Sequence, residues 1–541
     1  MSFLSEYDPN RLPLGNPEFS DIREEKMIYV DKTDIIYKIA IQRSPIFFSR
    51  PRRFGKSLLI NTLWSLFSNG LRCFHGLAIE KMWFDTTYQT VRLDFSGMAD
   101  SDAQELKRSL GDTIINAFRV KGTISQYDEQ GVRDPGRVLS EIAEGLPNNS
   151  VVLLIDEYDS PLTHHINKDS ELNEIMKILN NFYATVKQYT GKFRLIFITG
   201  VTRVSHVSIF SAFNNLLDLS LKKEFNSILG FTKDDLKIYF GSYIDNASKI
   251  LEITSDDVYE RLEQYYDGYQ FSIDSKETVY NPWSILSFLR NPEEGFQNYW
   301  FESGGISSII MQYLKISDSS DIINYQNREI YKLKRELISR YEITNIPLDI
   351  LLFQAGYFTI RKETNKNIKL IFPNTEVEDS LLDLYLSVNN IKICNDVQHK
   401  IDNIISKIDK KNLIDIVEIF NAILNDCVSI LSRIFSDERS VRDIIYAALP
   451  QEIDLQKIKE RETLKGHSDL ELLTRKTHMV IEFKRTSQDR DANTSLQEAI
   501  NQLKQKNYGI GAFKNLDLYR VAMVISTEDK AILPDYCQEV L

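Results

Sequence analysis

The sequence predicts an α/β protein in three parts: a parallel sheet, a mostly helical middle and a C-terminal α/β unit. Three observations lead there. Short apolar runs alternate with helical spacing through the first 230 or so residues. Ser49-Arg-Pro-Arg-Arg-Phe-Gly-Lys-Ser57 separates two of those runs, 46–48 and 58–60. Near the carboxyl end, Asp469, Glu482 and Lys484 fall within two apolar segments that read as paired strands.

Taken in order, the first part reads as strand 46–48, helix 56–67, strand 91–95, helix 102–118, strand 151–155, helix 175–188 and strand 195–198. Strands that alternate with helices build βαβ units and a parallel sheet. A last strand within 214–220 would complete it.

Gly55-Lys56-Ser57 stands where the first loop becomes a helix. Backbone N–H groups at a helix N-terminus point at phosphates, a Lys reaches the β and γ oxygens, and a Ser hydroxyl ligates Mg²⁺. Arg53, Phe54, Gly55, Lys56, Ser57 and Leu58 are therefore the candidate nucleotide-binding residues of a P-loop (Walker A). Arg50 stands where GxxxxGK[ST] has its first glycine.

Val151-Val-Leu-Leu-Ile-Asp-Glu157 suits a strand buried on both faces that delivers two carboxylates to its carboxyl end (Walker B). In the NTPase reading Asp156 holds Mg²⁺ through water, and Glu157 orients or deprotonates the attacking water. The plain alternative is a buried strand followed by an acidic turn. Thr199, at the tip of the next strand, can position that water or sense the γ-phosphate, and Arg203 can bring charge to the transition state. Thr202 reads equally well as the cap of a turn after Gly200.

From about residue 231 the pattern turns helical. Thr232 followed by Asp234 and Asp235 reads as an N-cap, and 254–266, 282–290 and 329–341 have helical spacing. Aromatics are dense here, and at such spacing they build a lid or linker core more readily than a base-stacking platform. Segments 351–360 and 368–372 read as a hairpin, the wing of a winged-helix unit; 378–388 and 397–435 read as helices. The resulting domain limits are 1–230, 231–377 and 378–541.

Length and composition bound the rest. A chain of 541 residues suggests about three domains. With 43% hydrophobic and 26% charged residues it resembles ordinary globular proteins. A net charge of −12 argues against coating nucleic acid by bulk electrostatics. The local basic runs, 361–369 and 407–411, interleave other residues and read as solvated surface. No apolar run reaches membrane-spanning length, and the N-terminus lacks the marks of a secretory signal, so a cytoplasmic protein is expected. Cys73, Cys394, Cys427 and Cys537 lie far apart and read as reduced thiols, not as a zinc site. His164 and His165 have no third ligand nearby in sequence, and His206 lacks nucleophile-elbow glycines.

At the carboxyl end, 468–473 and 478–484 read as strands joined by a polar turn. A period of two places Glu482 and Lys484 on one face and Ile481 and Phe483 on the other, with Asp469 on the neighbouring strand. Two converging carboxylates can chelate a divalent cation, and a Lys beside them can orient water for phosphodiester hydrolysis. A cross-strand ion pair is the simpler reading of the same residues. Helix 496–506 carries Gln502 and is followed by Tyr508.

Several strings of the chain, in order, resemble one family. They are Tyr29-Val-Asp-Lys-Thr33, Arg50-Pro-Arg-Arg-Phe-Gly-Lys-Ser57, Leu154-Ile-Asp-Glu-Tyr-Asp159 and Thr199-Gly-Val-Thr-Arg203. Further along come Tyr266-Asp-Gly-Tyr269, Tyr280-Asn-Pro-Trp-Ser284, Leu352-Phe-Gln-Ala-Gly-Tyr357 and Phe372-Pro-Asn-Thr-Glu376. Together they are similar to the AAA-ATPase-like proteins of bacteria, which carry a PD-(D/E)xK nuclease-like domain at the carboxyl end. In that family an Arg at the position of Arg50 is usual. The order Asp469, Glu482-x-Lys484, Gln502 is similar to the PD-(D/E)xK core, with Glu438 the best match for the acidic residue of a preceding helix.

The resemblance implies a P-loop NTPase sheet, a helical middle domain and a C-terminal PD-(D/E)xK-like domain. It implies ATP and Mg²⁺ as cofactors, with Ser57, Asp156, Asp469 and Glu482 as metal ligands, and Glu157, Asp469, Glu482, Lys484 and Gln502 as catalytic residues. Expected partners are a nucleotide and DNA or another nucleic acid, without a membrane; a homo-oligomer, and whether Arg203 acts in cis, in trans or not at all, stay open. The function expected is ATP hydrolysis coupled to Mg²⁺-dependent cleavage of nucleic acid, with defence against foreign DNA as its expected setting. The alternative is a nucleotide-operated switch or scaffold whose C-terminal domain binds without cleaving.

Overall fold

The computed structural model describes residues 7–118, 133–203, 215–305, 309–311, 313, 330–362, 367–388, 395–426, 438–449, 455–463, 466–486, 491–513, 515–526 and 528–540. The chain divides into two compact units. Met1–Glu293, Asn298–Ile316 and Glu329–Glu378 form the first; Glu294–Gln297, Ser317–Arg328 and Asp379–Leu541 form the second.

The first unit is built on five parallel strands: β1 (Ile46–Ser49), β2 (Gln89–Asp94), β3 (Val151–Asp156), β4 (Phe193–Gly200) and β5 (Leu217–Asp218), in the order β2-β3-β4-β1-β5. β3 and β4 are buried along their whole length, as the apolar runs 151–155 and 195–198 within them require. Because β4 lies between β1 and β3, the tip of β4 stands between the phosphate loop and the acidic pair. Helices α1 (Thr33–Ala40), α2 (Lys56–Asn69), α3 (Ala103–Ala117), α4 (Pro135–Glu144) and α5 (Asp169–Gln188) pack around this sheet. The spacing of apolar residues misses α4, whose start is written instead in the Asp134 cap and Pro135 at its first turn. The final strand is shorter than the expected 214–220, and residue 214 lies outside the described residues.

The same unit continues with α6 (Lys233–Ile250), α7 (Ser255–Tyr266) and α8 (Pro282–Arg290). The expected cap at Thr232 is present as a full capping box with Asp235, worth about 1 kcal/mol.

Two expectations fail here. Segment 329–341 is not one helix: β6 (Ile330–Leu333) precedes a short helix, Lys334–Ile338. Pairing with a neighbouring strand overrides its helical spacing. Segment 351–360 is not one strand: α9 (Leu348–Ala355) ends at Gly356, whose φ of 96° closes the helix, and β7 (Thr359–Lys362) follows. An apolar run such as Leu351-Leu-Phe353 fits either state, and the Gly cap decides. β7 pairs with β8 (Asn367–Ile371) as the expected hairpin, and β6 joins β8 on its other edge.

The second unit holds a mixed sheet of β9 (Gln456–Thr463), β10 (Gly466–Leu473), β11 (Thr477–Thr486), β12 (Asp517–Ser526) and β13 (Ala531–Glu539), ordered β13-β12-β11-β10-β9. Only β11 and β12 run parallel, joined through α12, as numbered after α10 (Leu413–Asp426) and α11 (Glu438–Ala448); α12 spans Ala492–Lys506. Its apolar stripe of Leu496, Ala499, Ile500 and Leu503 packs on Val480, Ala522 and Val524. The expected helical stretch 397–435 is broken into Asn395–Ile401, Ile404–Asp409 and α10, with 427–435 outside the described residues. Among the described residues no helix is long and apolar enough to cross a membrane. Cys73 and Cys537 are free thiols, while Cys394, Cys427 and His206 lie outside the described residues.

Candidate functional site

The phosphate loop turns sharply between β1 and α2. Arg53 and Gly55 both have left-handed backbone, with φ of 67° and 92°. A Cβ at Gly55 would meet only Leu229 Cδ2 at 4.0 Å, so glycine serves conformation there, not space. Lys56 is buried, and its Nζ donates to the carbonyls of Arg50 (3.0 Å) and Pro51 (2.9 Å). Burial pushes the Lys56 pKa down, opposed by the carboxylates of Glu157, Asp156 and Asp159. The ammonium is thus held at the loop by carbonyls and nearby negative charge. The first turn of α2 presents amides without intrahelical partners, a ready seat for anions.

A cavity of about 490 Å³ opens over this loop. Of the expected nucleotide residues, Arg53, Phe54, Gly55, Lys56, Ser57 and Leu58 line it, together with Glu157. Asp156 lies beneath, and its carboxylate accepts a hydrogen bond from Ser57. Burial raises the pKa of both Asp156 and Glu157, with Lys56 pulling each back. Ser57 and Asp156, a hydroxyl and a carboxylate already within hydrogen-bond reach, suit a hard divalent cation.

Thr199 and Arg203 are not among the residues lining that cavity. Thr199 is buried at the end of β4, and its hydroxyl has no hydrogen-bond partner among the described residues. Arg203 is 4% exposed; its guanidinium pairs with Asp218 at 2.9 Å and donates to the Leu337 carbonyl at 3.3 Å. Thr202 is held by Asp159, which accepts from its amide and its hydroxyl, both at 2.6 Å. His164 pairs with Asp100, and buried His165 contacts the Pro161 carbonyl.

Arg50 has a structural explanation. Its guanidinium lies over the rings of Phe48 (4.4 Å) and Phe271 (4.1 Å) and donates to the carbonyls of Ser49, Ser220 and Phe225. Burial, with Arg203 nearby, pushes its pKa down to about 9, opposed by Asp218, so it stays a cation at neutral pH.

In the second unit, β10 and β11 pair Leu470 with Ile481 and Glu471 with Val480, which sets Asp469 beside Glu482. Asp469 Oδ2 accepts from the Phe483 amide at 2.7 Å. Lys484 Nζ donates to Glu482 Oε1 at 2.6 Å. Glu482 and Lys484 share the face of Val480, which α12 covers. The pair is therefore no solvated cross-strand bridge: the Glu482 side chain is 0% exposed and that of Lys484 16%. Gln502 Nε2 reaches the Tyr508 hydroxyl at 3.5 Å, and that hydroxyl lies within electrostatic reach of Glu482, Asp469 and Lys484. Glu438 opens α11. Glu471 belongs elsewhere, accepting from Ser468 and bonding His478 in a buried cluster. Among the described residues no three His, Cys, Asp or Glu side chains gather in a group that could hold a metal ion.

Two family models match this chain. One, described as predicted AAA-ATPase, covers residues 13–210, and one described as PD-(D/E)XK nuclease superfamily covers 436–533. A relative from Azotobacter chroococcum mcd 1, described as an uncharacterized protein in the vnfD 5′ region, is 30% identical over 382 residues, 69% of each chain. The chain belongs to the AAA-ATPase-like family. It pairs an NTPase-type domain with a domain of the nuclease superfamily, as its ordered motifs imply.

The remaining motifs of this AAA-ATPase-like protein grip the phosphate loop, a role that their sequence does not announce. Phe54 stands edge-on to Tyr269 (4.7 Å) and Phe271 (5.2 Å). Trp300 Nε1 donates to the Arg52 carbonyl at 3.3 Å, and its ring meets Tyr357 edge-on. Pro51 packs where a Cβ on Gly356 would be, at 2.6 Å. Gly268 leaves room for the Pro373 carbonyl, only 1.9 Å from where its Cβ would stand. Buried Glu376 accepts from Ser284 and from the Trp300 amide. The dense aromatics hold the loop from behind. Asp159 is the other residue that the motif reading passes over, although its string contains it.

Proposed function

We propose that this protein binds and hydrolyses ATP with Mg²⁺ at the cavity of the first unit, and that its C-terminal domain cleaves nucleic acid, DNA foremost, in cytoplasmic defence against foreign DNA. The observation that carries the ATPase reading is the gathering of Lys56, Ser57 and Glu157 on one cavity, with Asp156 bonded to Ser57 below. Lys56 and the first-turn amides of α2 take the phosphates, and Glu157 takes a proton from the attacking water. The apolar wall of Ile28, Val30, Ile36, Leu229 and Phe231 takes the base. Mg²⁺, when bound, neutralises phosphate charge, with Ser57 and Asp156 as its holders.

Asp469, Glu482 and Lys484 on one covered face support the nuclease reading. There Asp469 and Glu482 hold the cation, Lys484 orients water at its ammonium, and Gln502 fixes the substrate side. The division into 1–230, 231–377 and 378–541 is part of the same proposal. A second reading, binding without cleavage, is favoured by one contact: Lys484 already lies on Glu482 at 2.6 Å.

The test measures ATP turnover and cleavage of linear, circular and single-stranded DNA and of RNA. Lys56→Ala should lose nucleotide binding. Glu482→Ala should keep ATP turnover and lose cleavage. Turnover that survives Lys56→Ala would sink the ATPase site, and cleavage that survives Glu482→Ala would sink the nuclease site.

A further inference from the structure

Two residues on the cavity wall hold an unusual backbone. Arg53 (φ 67°) and Glu157 (φ 48°) are both left-handed without being glycine. That conformation costs a side chain roughly 1–2 kcal/mol and persists only where the surroundings impose it. Around Arg53 the imposing contacts are visible. Its guanidinium lies 4.3 Å from the centre of the Trp283 ring and donates to the Ser303 carbonyl, and Phe54 beside it is wedged between Tyr269 and Phe271. Trp283 and Arg53 both line the cavity that holds Lys56 and Glu157. Arg53 and Glu157 sense each other electrostatically, since Glu157 opposes the fall in the Arg53 pKa that burial and Arg52 cause. Of the other cations, Arg203 is engaged by Asp218, and Lys32, although on the wall, pairs with Asp235 at 2.5 Å. Arg52 lines the same cavity within electrostatic reach of Glu157, but Arg53 is the one whose guanidinium is fixed on a cavity-wall ring, that of Trp283.

We propose that Arg53 is the cation of the hydrolytic transition state and acts in cis. This rests on the ATPase reading above. In the step, the water oxygen forms the new bond to the γ-phosphorus while the bond from that phosphorus to the β–γ bridging oxygen breaks. The electron pair leaves with ADP, the water proton goes to Glu157, and Arg53 neutralises the charge spread over the γ-oxygens. Trp283 is a positioning residue that holds the guanidinium over the cavity. One chain then carries a complete site, and no Arg from a second copy is needed.

Arg53→Gly and Arg53→Lys test this. Glycine suits the backbone at this φ, so Arg53→Gly should melt at or near the wild-type temperature. Both variants should lose about 100-fold or more in kcat, far more than they lose in affinity for a fluorescent ATP analogue, and fail to trap ADP with aluminium fluoride. Turnover per chain should not change with protein concentration. Either variant hydrolysing within threefold of wild type overturns the proposal. So does activity restored on mixing Arg53→Gly with Lys56→Ala, which would show an Arg acting in trans. A wild-type protein that binds ATP without hydrolysing it overturns the ATPase reading itself, and the two failures are distinguishable by that control.

Discussion

Gly200 gives Asp159 its place: a Cβ on Gly200 would stand 2.4 Å from Asp159 Oδ1 and 2.5 Å from the Tyr158 ring. Only glycine lets the tip of β4 approach the turn after β3 so closely. Asp159 then reaches across to the amides of Val201 and Thr202 and to the Thr202 hydroxyl. The two strand ends beside the cavity are locked as one piece.

Gly200→Ala should therefore destabilise the first unit by about 2 kcal/mol, the usual cost of overpacking a closed site. Urea denaturation followed by tyrosine and tryptophan fluorescence measures it. A variant as stable as wild type would mean that β4 and the Asp159 turn move apart freely.

Arg50→Gly restores the glycine of the common phosphate-loop pattern, and the expectation is nonetheless a loss. The substitution removes donors to three carbonyls, two of them buried, and the cation between Phe48 and Phe271, about 3 kcal/mol or more. A rise in melting temperature would contradict the clamp assigned to Arg50.

Phe54→Ala should cost about 3 kcal/mol as a cavity between Tyr269 and Phe271. It should also weaken nucleotide binding, although Lys56, Ser57 and Asp156 remain. Calorimetric titration with ATP decides: unchanged affinity would show that the loop keeps its shape without the aromatic grip.

Asp156 supplies a pH prediction. Burial raises its pKa, and Glu157 shares the direction. The folded state then binds more protons than the unfolded one between the unfolded and folded values. Stability of the nucleotide-free protein is highest below the unfolded pKa and falls as pH rises through the folded one. Asp156→Asn removes that penalty and should raise the melting temperature at pH 7 by about 2 °C, while abolishing stabilisation by Mg²⁺ and ATP together. A variant that melts lower at pH 7 yet still gains stability from the nucleotide would contradict the role given to Asp156.

The legible parts of this chain are those in which chemistry sits in one string. Gly55-Lys56-Ser57 and Asp156-Glu157 declare loop and acidic strand because a buried run and the polar tip that follows it are adjacent in sequence. The strands bearing Asp469 and Glu482 declare themselves by their period of two. What holds the loop does not, since Tyr269, Trp283, Trp300 and Gly356 come from separate segments that meet only in the fold. The pairing of Arg203 with Asp218 is hidden for the same reason: it joins two separate strand ends, which no local string encodes. Segments 329–341 and 351–360 mislead because short apolar runs fit both periods until a cap or a partner strand decides.

The most direct test joins the two sites: cleavage of a DNA panel with Mg²⁺, with and without ATP, by wild type, Glu157→Gln and Glu482→Ala. ATP-dependent cleavage by wild type is predicted, with cleavage lost and turnover kept in Glu482→Ala, and turnover lost in Glu157→Gln. Absence of cleavage by wild type under every condition, alongside normal ATP turnover, would contradict the account and leave the C-terminal domain a binding module.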